Sequence, residues 1–528
     1  MNMIKLNDYA MKIGFEYPML AKVNNKLREL NFEVDPEVDN IEFLDISNPD
    51  GYRTYSRTLK FIFIKVCNEL YPNQKVEIEH TLCGGLYCEI DHPYDIDIIT
   101  ARMRDIVNRN IPINKILLSK EEAVKLFNER NMIDKAKLLE YKEKPRVKVY
   151  ECGGFIDHFY GHMLPSTWHV QTFRLRPYKN GIILLGPDKK NIRRVAEFID
   201  HEKLSKVYRE AEDWSKVLGI ENVVDLNKVI ESGKYGDMIR TIEVLQEKKL
   251  AHIADMIKEQ KKKIVLIAAP SSSGKTSFAH RLSIHLKVNG INTVAISMDN
   301  YFVNREDTPL DEDGKYDYET IKAIRVDHFN NDLKALLNGE EIYVPEFNFV
   351  EGKQYITDKT MKLNNDEVII IEGIHGLNPI LTRDIAEEDK FKIYLSVLTQ
   401  INLDNHSRIP TTDLRLLRRM VRDNTHRGCN AEATIMSWGS VRRGEELNIF
   451  PYQEQADVMF NSAGLHELAL LKVCAQPLLE EIKPESPAYL EAIRLLRLLQ
   501  YFVPLEDVSD IPNTSIVREF IGGSKIVH

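Results

Sequence analysis

Ile264-Val265-Leu266-Ile267-Ala268-Ala269-Pro270-Ser271-Ser272-Ser273-Gly274-Lys275-Thr276 is an apolar run of strand length that breaks into a Ser/Gly loop, and Thr276 to Lys287 then take up helical spacing. Strand, loop and helix in that order place backbone N–H groups of the loop and of the helix N-terminus where they meet phosphate oxygens. The pattern GxxxxGK[ST] is met at Gly274, Lys275 and Thr276, with Ala269 standing where the first Gly belongs. Ser271, Ser272, Ser273, Gly274 and Ser277 are expected to line the phosphates. Lys275 is expected to reach the β- and γ-phosphates and Thr276 to hold Mg²⁺. The ligands implied are ATP and Mg²⁺.

Two more apolar strands frame this unit. Val368-Ile369-Ile370-Ile371 ends in Glu372-Gly373, which delivers a carboxylate to the C-terminal edge of a parallel sheet, where ligands bind. Glu372 is expected to be the second contact to the Mg²⁺ shell. Thr293-Val294-Ala295-Ile296-Ser297 leads to Asp299, the expected base that orients an acceptor hydroxyl and takes its proton. Asp317, after Gly314-Lys315-Tyr316, either holds sugar hydroxyls or closes a turn. Arg415, Arg418, Arg419 and Arg422 share one helical face, and Arg427 follows at its end. Beside a phosphate loop that face reads as a lid, with Arg418 and Arg422 stabilising charge in transfer and Arg419 and Arg427 holding ATP; the alternative is a solvated helix surface. Arg442-Arg443-Gly444-Glu445-Glu446 is mixed in sign and reads as salt-bridged.

At 528 residues the chain is too long for one core and should be modular. Its 43% hydrophobic and 29% charged residues match folded domains, and a net charge of -9 argues against a polyanion-binding surface over the whole molecule. The six cysteines are scattered, unlike a disulfide scaffold. No basic-then-apolar leader opens the sequence, and no stretch approaches the roughly 18 apolar residues of a membrane helix. The expectation is a cytoplasmic protein with no membrane partner.

Residues 1–75 read as a small α+β module, with Ile41 to Ile46 as a half-buried strand, Pro49-Asp50-Gly51 as a turn and Thr58 to Cys67 as a buried helix. Residues 76–185 carry the strands Val76 to His80 and Val147 to Tyr150 and a charged helical stretch from Lys120 to Tyr141. Residues 186–262 read as a helical connector, 263–482 as the phosphate-binding domain and 483–528 as a helical tail.

The succession of the loop, Ser297-Met298-Asp299-Asn300-Tyr301, Asp317, Glu372-Gly373-Ile374, Arg415 to Gly428 and Ala456-Asp457-Val458 resembles the uridine kinase and phosphoribulokinase family over residues 262–480. The resemblance implies a P-loop NTPase parallel sheet of the nucleoside-monophosphate-kinase-like α/β class. It places Asp299 in the position of the catalytic carboxylate and Asp317 in that of the ribose-binding one, with Tyr301 and Phe347 beside the substrate. The implied activity is ATP-dependent transfer of the γ-phosphate to a small-molecule hydroxyl, with a nucleoside 5′-hydroxyl as the leading acceptor. Where uridine kinases have a Pro-x-Tyr-Asp-Phe segment and then a histidine, this chain has Pro345-Glu346-Phe347-Asn348-Phe349 and Gly352, so two groups that would read a pyrimidine are absent. Leu398 to Thr412 is longer than that family's usual connection, and the sequence assigns it no role.

Ile78-Glu79-His80-Thr81-Leu82-Cys83-Gly84 and Phe155-Ile156-Asp157-His158-Phe159-Tyr160-Gly161-His162 are similar to the second additional domain of threonyl-tRNA synthetases, and residues 1–75 to the ubiquitin-like β-grasp module before it. In that domain a His-x3-His pair meets a Cys-x3-His pair; here the pairs read His80 with Gly84 and His158 with His162. The resemblance leaves open a Zn²⁺ site at His80, His158 and His162 or a metal-free remnant. It also leaves open a regulator that binds ATP, and a protein that binds RNA through the N-terminal half. Association into a homo-oligomer is a further expectation from the kinase resemblance.

Overall fold

The computed structural model describes residues 3–310, 314, 316–348 and 350–527, so Lys315 and Phe349 of the motifs above lie outside the described residues. The C-terminal half is built on five parallel strands in the spatial order Asn292–Ser297, Glu367–Glu372, Ile264–Ala268, Lys390–Ser396, Val458–Asn461. The P-loop strand is central and fully buried, as the unbroken Ile264-Val265-Leu266-Ile267-Ala268 run requires of a strand covered on both faces. Val265, Ile267 and Ile370 pack with Phe278 and Leu282 of the following helix and with Ile253 and Ile257 of the long helix Tyr235–Glu259. Ile264, Leu266 and Ile371 turn the other way, onto Phe329 and Leu333 of the helix Val326–Leu337.

The N-terminal half is α+β. A three-stranded sheet (Lys26–Arg28, Leu20–Val23, Ile41–Leu44) lies before a four-stranded antiparallel one (Arg174–Tyr178, Gly181–Leu185, Gly85–Ile90, Val76–Leu82) and a three-stranded one (Phe155–Asp157, Arg146–Cys152, Asn114–Ser119). Pro49-Asp50-Gly51 is not a turn: it starts a helix, Pro49–Leu70. Asn48 caps it by accepting the Asp50 N–H, and proline fits the first helical position because its missing N–H would have no partner there. Phe61, Ile62, Phe63 and Ile64 of that helix share a core with Ile78, Cys88 and Phe155. Among the described residues all six cysteines are free, and no helix is long and apolar enough to cross a membrane.

The unassigned stretch from Leu398 to Thr412 proves to be a β-hairpin, Asn402–Asp404 with Ser407–Arg408, driven into the N-terminal half. The carbonyl of Asn405 accepts the Ile78 N–H at 2.8 Å, and the Asn405 N–H reaches Asp134 at 2.8 Å. Below them lies a buried polar knot. Lys135 contacts Asp157 and lies 3.0 Å from His406 Nδ1, which is itself 2.7 Å from Asp157, while Tyr160 donates to Asp404 at 3.0 Å. Burial alone would raise the Asp157 carboxyl, but Lys135 and His406 hold it well below the ordinary range.

Glu29 ties the first module to the second in the same way. It accepts from Tyr150 at 2.6 Å and pairs with Lys115 at 2.5 Å. Against the upward push of burial, His162, Lys115 and Tyr150 bring its pKa down from 4.5 to about 2. Glu491, between Arg494 and Arg53, is also brought to about 2. A carboxylate depressed on folding stabilises above its unfolded pKa and loses that contribution as pH falls toward the folded value. Urea titrations should therefore show stability falling by about 2–3 kcal/mol per such group between pH 5 and pH 2, and the fall should be shallower in Glu29→Gln.

Candidate active site

The loop between Ala268 and Lys275 turns twice through the left-handed region, at Ser272 (φ 62°) and Gly274 (φ 78°). Gly274 is required there twice over, because a Cβ would also run into Ile516 of the C-terminal segment. The helix Lys275–Val288 starts immediately after it, so its free N–H groups point into the cleft at the C-terminal edge of the sheet.

The Thr276 hydroxyl donates to Glu372 at 2.9 Å, which joins the two residues expected to hold Mg²⁺. Burial raises the Glu372 carboxyl, with Lys275 opposing. Lys275 is itself lowered by burial, countered by Glu372, Glu519 and Asp299. Asp299, at the end of the strand Asn292–Ser297, is open to the cleft; the surrounding protein raises its pKa against the pull of Lys275 and Arg427. Lys275, Thr276, Glu372 and Asp299 are thus brought together by three adjacent strands. Two hard oxygens beside a lysine and a rank of N–H groups suit a metal-bound triphosphate, and Ser272 Oγ, buried without a hydrogen-bond partner, is free to join them.

Other expected residues take different roles. Arg418 is fully buried and grips Glu467 with two bonds of 2.7 Å, and it also reaches the Ser462 carbonyl at 3.0 Å and lies over the Phe520 ring. It is not over a transferring phosphate. The correction has a physical reason: the face of the helix Thr411–His426 that carries Arg415 and Arg418 points into the protein, where Arg415 pairs with Glu445. Arg415 and Arg418 donate to the carbonyls of Ser271 and Ser272, and Arg419 donates to the Ser271 hydroxyl at 2.9 Å, so these arginines brace the loop from behind. Arg422 and Arg427 gather on Asp423 at 3.0 Å and 3.5 Å, and their fields reach Lys275 and Asp299 respectively. Ser277, expected on phosphate, donates its hydroxyl to Glu519 at 2.7 Å.

Tyr301 is also a correction. It is buried, its hydroxyl donates to Asp332 at 2.8 Å, and its ring packs edge-on to Phe329, so it supports the site from the core. Asp317 accepts the Glu319 N–H at 3.0 Å, the turn-closing alternative. Phe347 is buried against Phe302, which also packs edge-on to Tyr318, and these rings form an aromatic wall. The three histidines do not converge. His158 is bonded to the Lys148 carbonyl at 2.6 Å, His162 lies 3.6 Å from Glu29, and His80 is stacked on Tyr208. The main-chain carbonyl of His162 accepts from Arg57 at 2.6 Å.

Three residues escaped the sequence reading, and Glu445, read there as salt-bridged, also reaches the loop. Glu445 accepts the Ser271 N–H at 3.0 Å, and Glu519 covers the first turn of the loop helix. Glu319, between Glu445 and Arg419, is raised by burial to about 7. His375, three residues beyond Glu372, is buried and held at about 4. Of the three that escaped, Glu319 and His375 lie near motifs that could have drawn attention to them.

This architecture is that of a P-loop nucleotide-binding domain. The model of the phosphoribulokinase / uridine kinase family matches residues 264–469, the span that holds the five-stranded parallel sheet. The N-terminal half is similar to threonine–tRNA ligases. The protein of Clostridium tetani is 29% identical over 181 residues, 33% of this chain and 28% of that one, and the protein of Thermotoga petrophila is 31% identical over 176 residues, 32% of this chain and 27% of that one. The chain thus spans less than a third of the length of these relatives. Among solved structures, one described as a possible uridine kinase from Bacillus stearothermophilus is 17% identical, with a TM-score of 0.27, covering 40% of this chain and all of that one. D-glycerate 3-kinase from Cryptococcus neoformans is 12% identical, with a TM-score of 0.25, over 40% of this chain and 87% of that one.

Proposed function

We propose that the protein transfers the γ-phosphate of Mg·ATP to a hydroxyl of a small molecule, with the 5′-hydroxyl of a nucleoside as the leading acceptor. The observation that carries this reading is the contact of Thr276 with Glu372 in the cleft that Lys275 and Asp299 also face. Thr276 and Glu372 would hold Mg²⁺, which when bound supplies charge neutralisation along the phosphates. Lys275 and the loop N–H groups bind and orient the triphosphate. Asp299 positions the acceptor hydroxyl and accepts its proton, while Arg422 and Arg427 add positive potential on the same side. Phe302, half-buried and backed by Phe347, offers an apolar edge to a base or sugar.

The test is ADP release by the full chain with Mg·ATP over a panel of nucleosides, ribose phosphates, glycerate and other polyols. One strong acceptor establishes the kinase and names its substrate class. A strong polyol with silent nucleosides replaces the nucleoside reading alone, and silence throughout despite ATP binding defeats the kinase reading.

The second reading, RNA binding by the N-terminal half, is favoured by a groove of about 570 Å³ in which Arg174, Arg176, Arg193 and Arg194 meet. RNA binding that weakens steeply with salt would support it.

A further inference from the structure

His80 belongs to no catalytic arrangement described above, yet its surroundings are unlike those of a core histidine. The strand Val76–Leu82 should alternate its side chains between faces, so Glu79 and His80 should point apart. They do not, because the register to the neighbouring strand slips between Ile78, opposite Cys88, and Thr81, opposite Leu86. The extra residue is a β-bulge, a device that re-aims side chains. The helix Glu202–Leu218 completes the arrangement with two residues one turn apart. Tyr208 stacks on the imidazole at 3.6 Å and 4°, fixing the ring plane, and Glu212 presents its carboxylate 3.9 Å from His80 Nδ1.

At 8% exposure His80 is more than nine-tenths buried, and among the described residues neither ring nitrogen makes a hydrogen bond; the separation from Glu212 is too long for one. Ligand atoms of Glu79, His80 and Glu212 all lie within 4.8 Å of one another. The wider field is mixed: Glu77 and Glu89 act on Glu79 and Glu89 on Glu212, while Lys75, which pairs with Glu77 at 2.7 Å, opposes at Glu79, Lys216 and Arg209 oppose at Glu212, and the field of Arg408 reaches His80. Glu79 is raised to about 8 and Glu212 to about 7, chiefly by burial and then by neighbouring carboxylates, while burial holds His80 neutral at about 3. Two carboxylates and a neutral imidazole thus surround a common point; among the described residues no cation touches them, and Asn402 Nδ2 stands 3.5 Å from Glu79.

We propose that Glu79, His80 and Glu212 bind one divalent transition-metal ion, with Zn²⁺ the ion the site fits best. One nitrogen and two carboxylate oxygens suit Zn²⁺, and three protein ligands leave its fourth position open. Ligand atoms on one ion at about 2.0–2.2 Å can stand no more than about 4.4 Å apart, so small side-chain rotations close the site. The ligands come from the ligase-like sheet and from the connector helix, which also reaches the kinase sheet: Lys203 donates to the Ala456 carbonyl at 2.6 Å. The ion would therefore tie the sheet strand Val76–Leu82 to the helix Glu202–Leu218, whose Tyr208 shares a core with Ala268 at the end of the P-loop strand.

The experiment takes the full chain, treated with chelator and returned to metal-free buffer, and titrates Zn²⁺ alone, following stoichiometry by elemental analysis and environment by Co²⁺ absorption. The expected result is one Zn²⁺ per chain, a rise in thermal midpoint on binding, and dissociation constants raised at least about tenfold in both His80→Ala and Glu212→Gln. Glu212 is partly exposed, so Glu212→Gln keeps the test alive should His80→Ala fail to fold. Absence of bound Zn²⁺, or binding unchanged in Glu212→Gln, overturns the proposal. So does Zn²⁺ lost in Glu372→Gln and kept in Glu212→Gln, which would place the ion at the phosphate loop.

Discussion

Asp299→Asn is expected to lower kcat about 10²–10⁴-fold with the best acceptor, while the KM for ATP stays within about threefold. The substitution keeps the size of the side chain and its place at the end of the strand, and it removes only the ability to take a proton. Lys275, Thr276 and Glu372 remain to bind nucleotide, so ground-state binding should persist. The pH profile provides a second readout. Because surrounding protein raises the Asp299 carboxyl against the pull of Lys275 and Arg427, the basic form should develop at higher pH than for a solvated aspartate. The acid limb of kcat/KM should therefore lie above that of a solvated aspartate and should vanish in Asp299→Asn. A full rate in the variant would remove Asp299 from the chemistry.

Arg418→Met should act on stability before activity. The substitution leaves Glu467, 2% exposed, with its charge buried and both guanidinium bonds gone, and it empties the place over Phe520. Breaking one partner of such a pair costs about 3–5 kcal/mol, and denaturant titration should read a loss of that size. The double variant Arg418→Met/Glu467→Leu should recover much of it, since no orphaned charge remains. A residue acting only on the transferring phosphate would give the opposite pattern, with normal stability and a large fall in kcat.

These two positions show what the sequence makes legible. The strand-loop-helix around Gly274 is a local pattern, so the turn and the placing of Lys275 and Thr276 at a helix N-terminus could be read directly. Glu372 and Asp299 were readable because both end strands of a parallel sheet, and such ends share an edge. Arg418 was misplaced because spacing defines a helical face without saying whether that face meets solvent. The heptad carrying Arg415 to Arg422 is interleaved with Leu414, Leu416, Leu417 and Met420, all buried, and the helix is covered on most sides. Tyr301 failed likewise, its partner Asp332 being a tertiary contact. His80 was joined to the wrong partners because a bulge, which changes the parity of a strand, leaves little trace in composition. Glu519 lies more than 240 residues from the loop helix it touches, a distance no local pattern spans.

The hairpin from Asn402 to Arg408 also limits how the protein can be divided. A fragment carrying the kinase sheet alone would present Asp404 and His406 to water without Lys135, Asp157 and Tyr160, and the complementary fragment would hold Lys135 and Asp157 under an open roof. Neither cut surface is one a soluble domain tolerates, since each exposes a polar knot assembled from both sides together with its apolar surround. Although its halves resemble different proteins, the chain is therefore built to melt as a single body, and domain-by-domain expression should yield aggregation where the intact chain yields one cooperative transition.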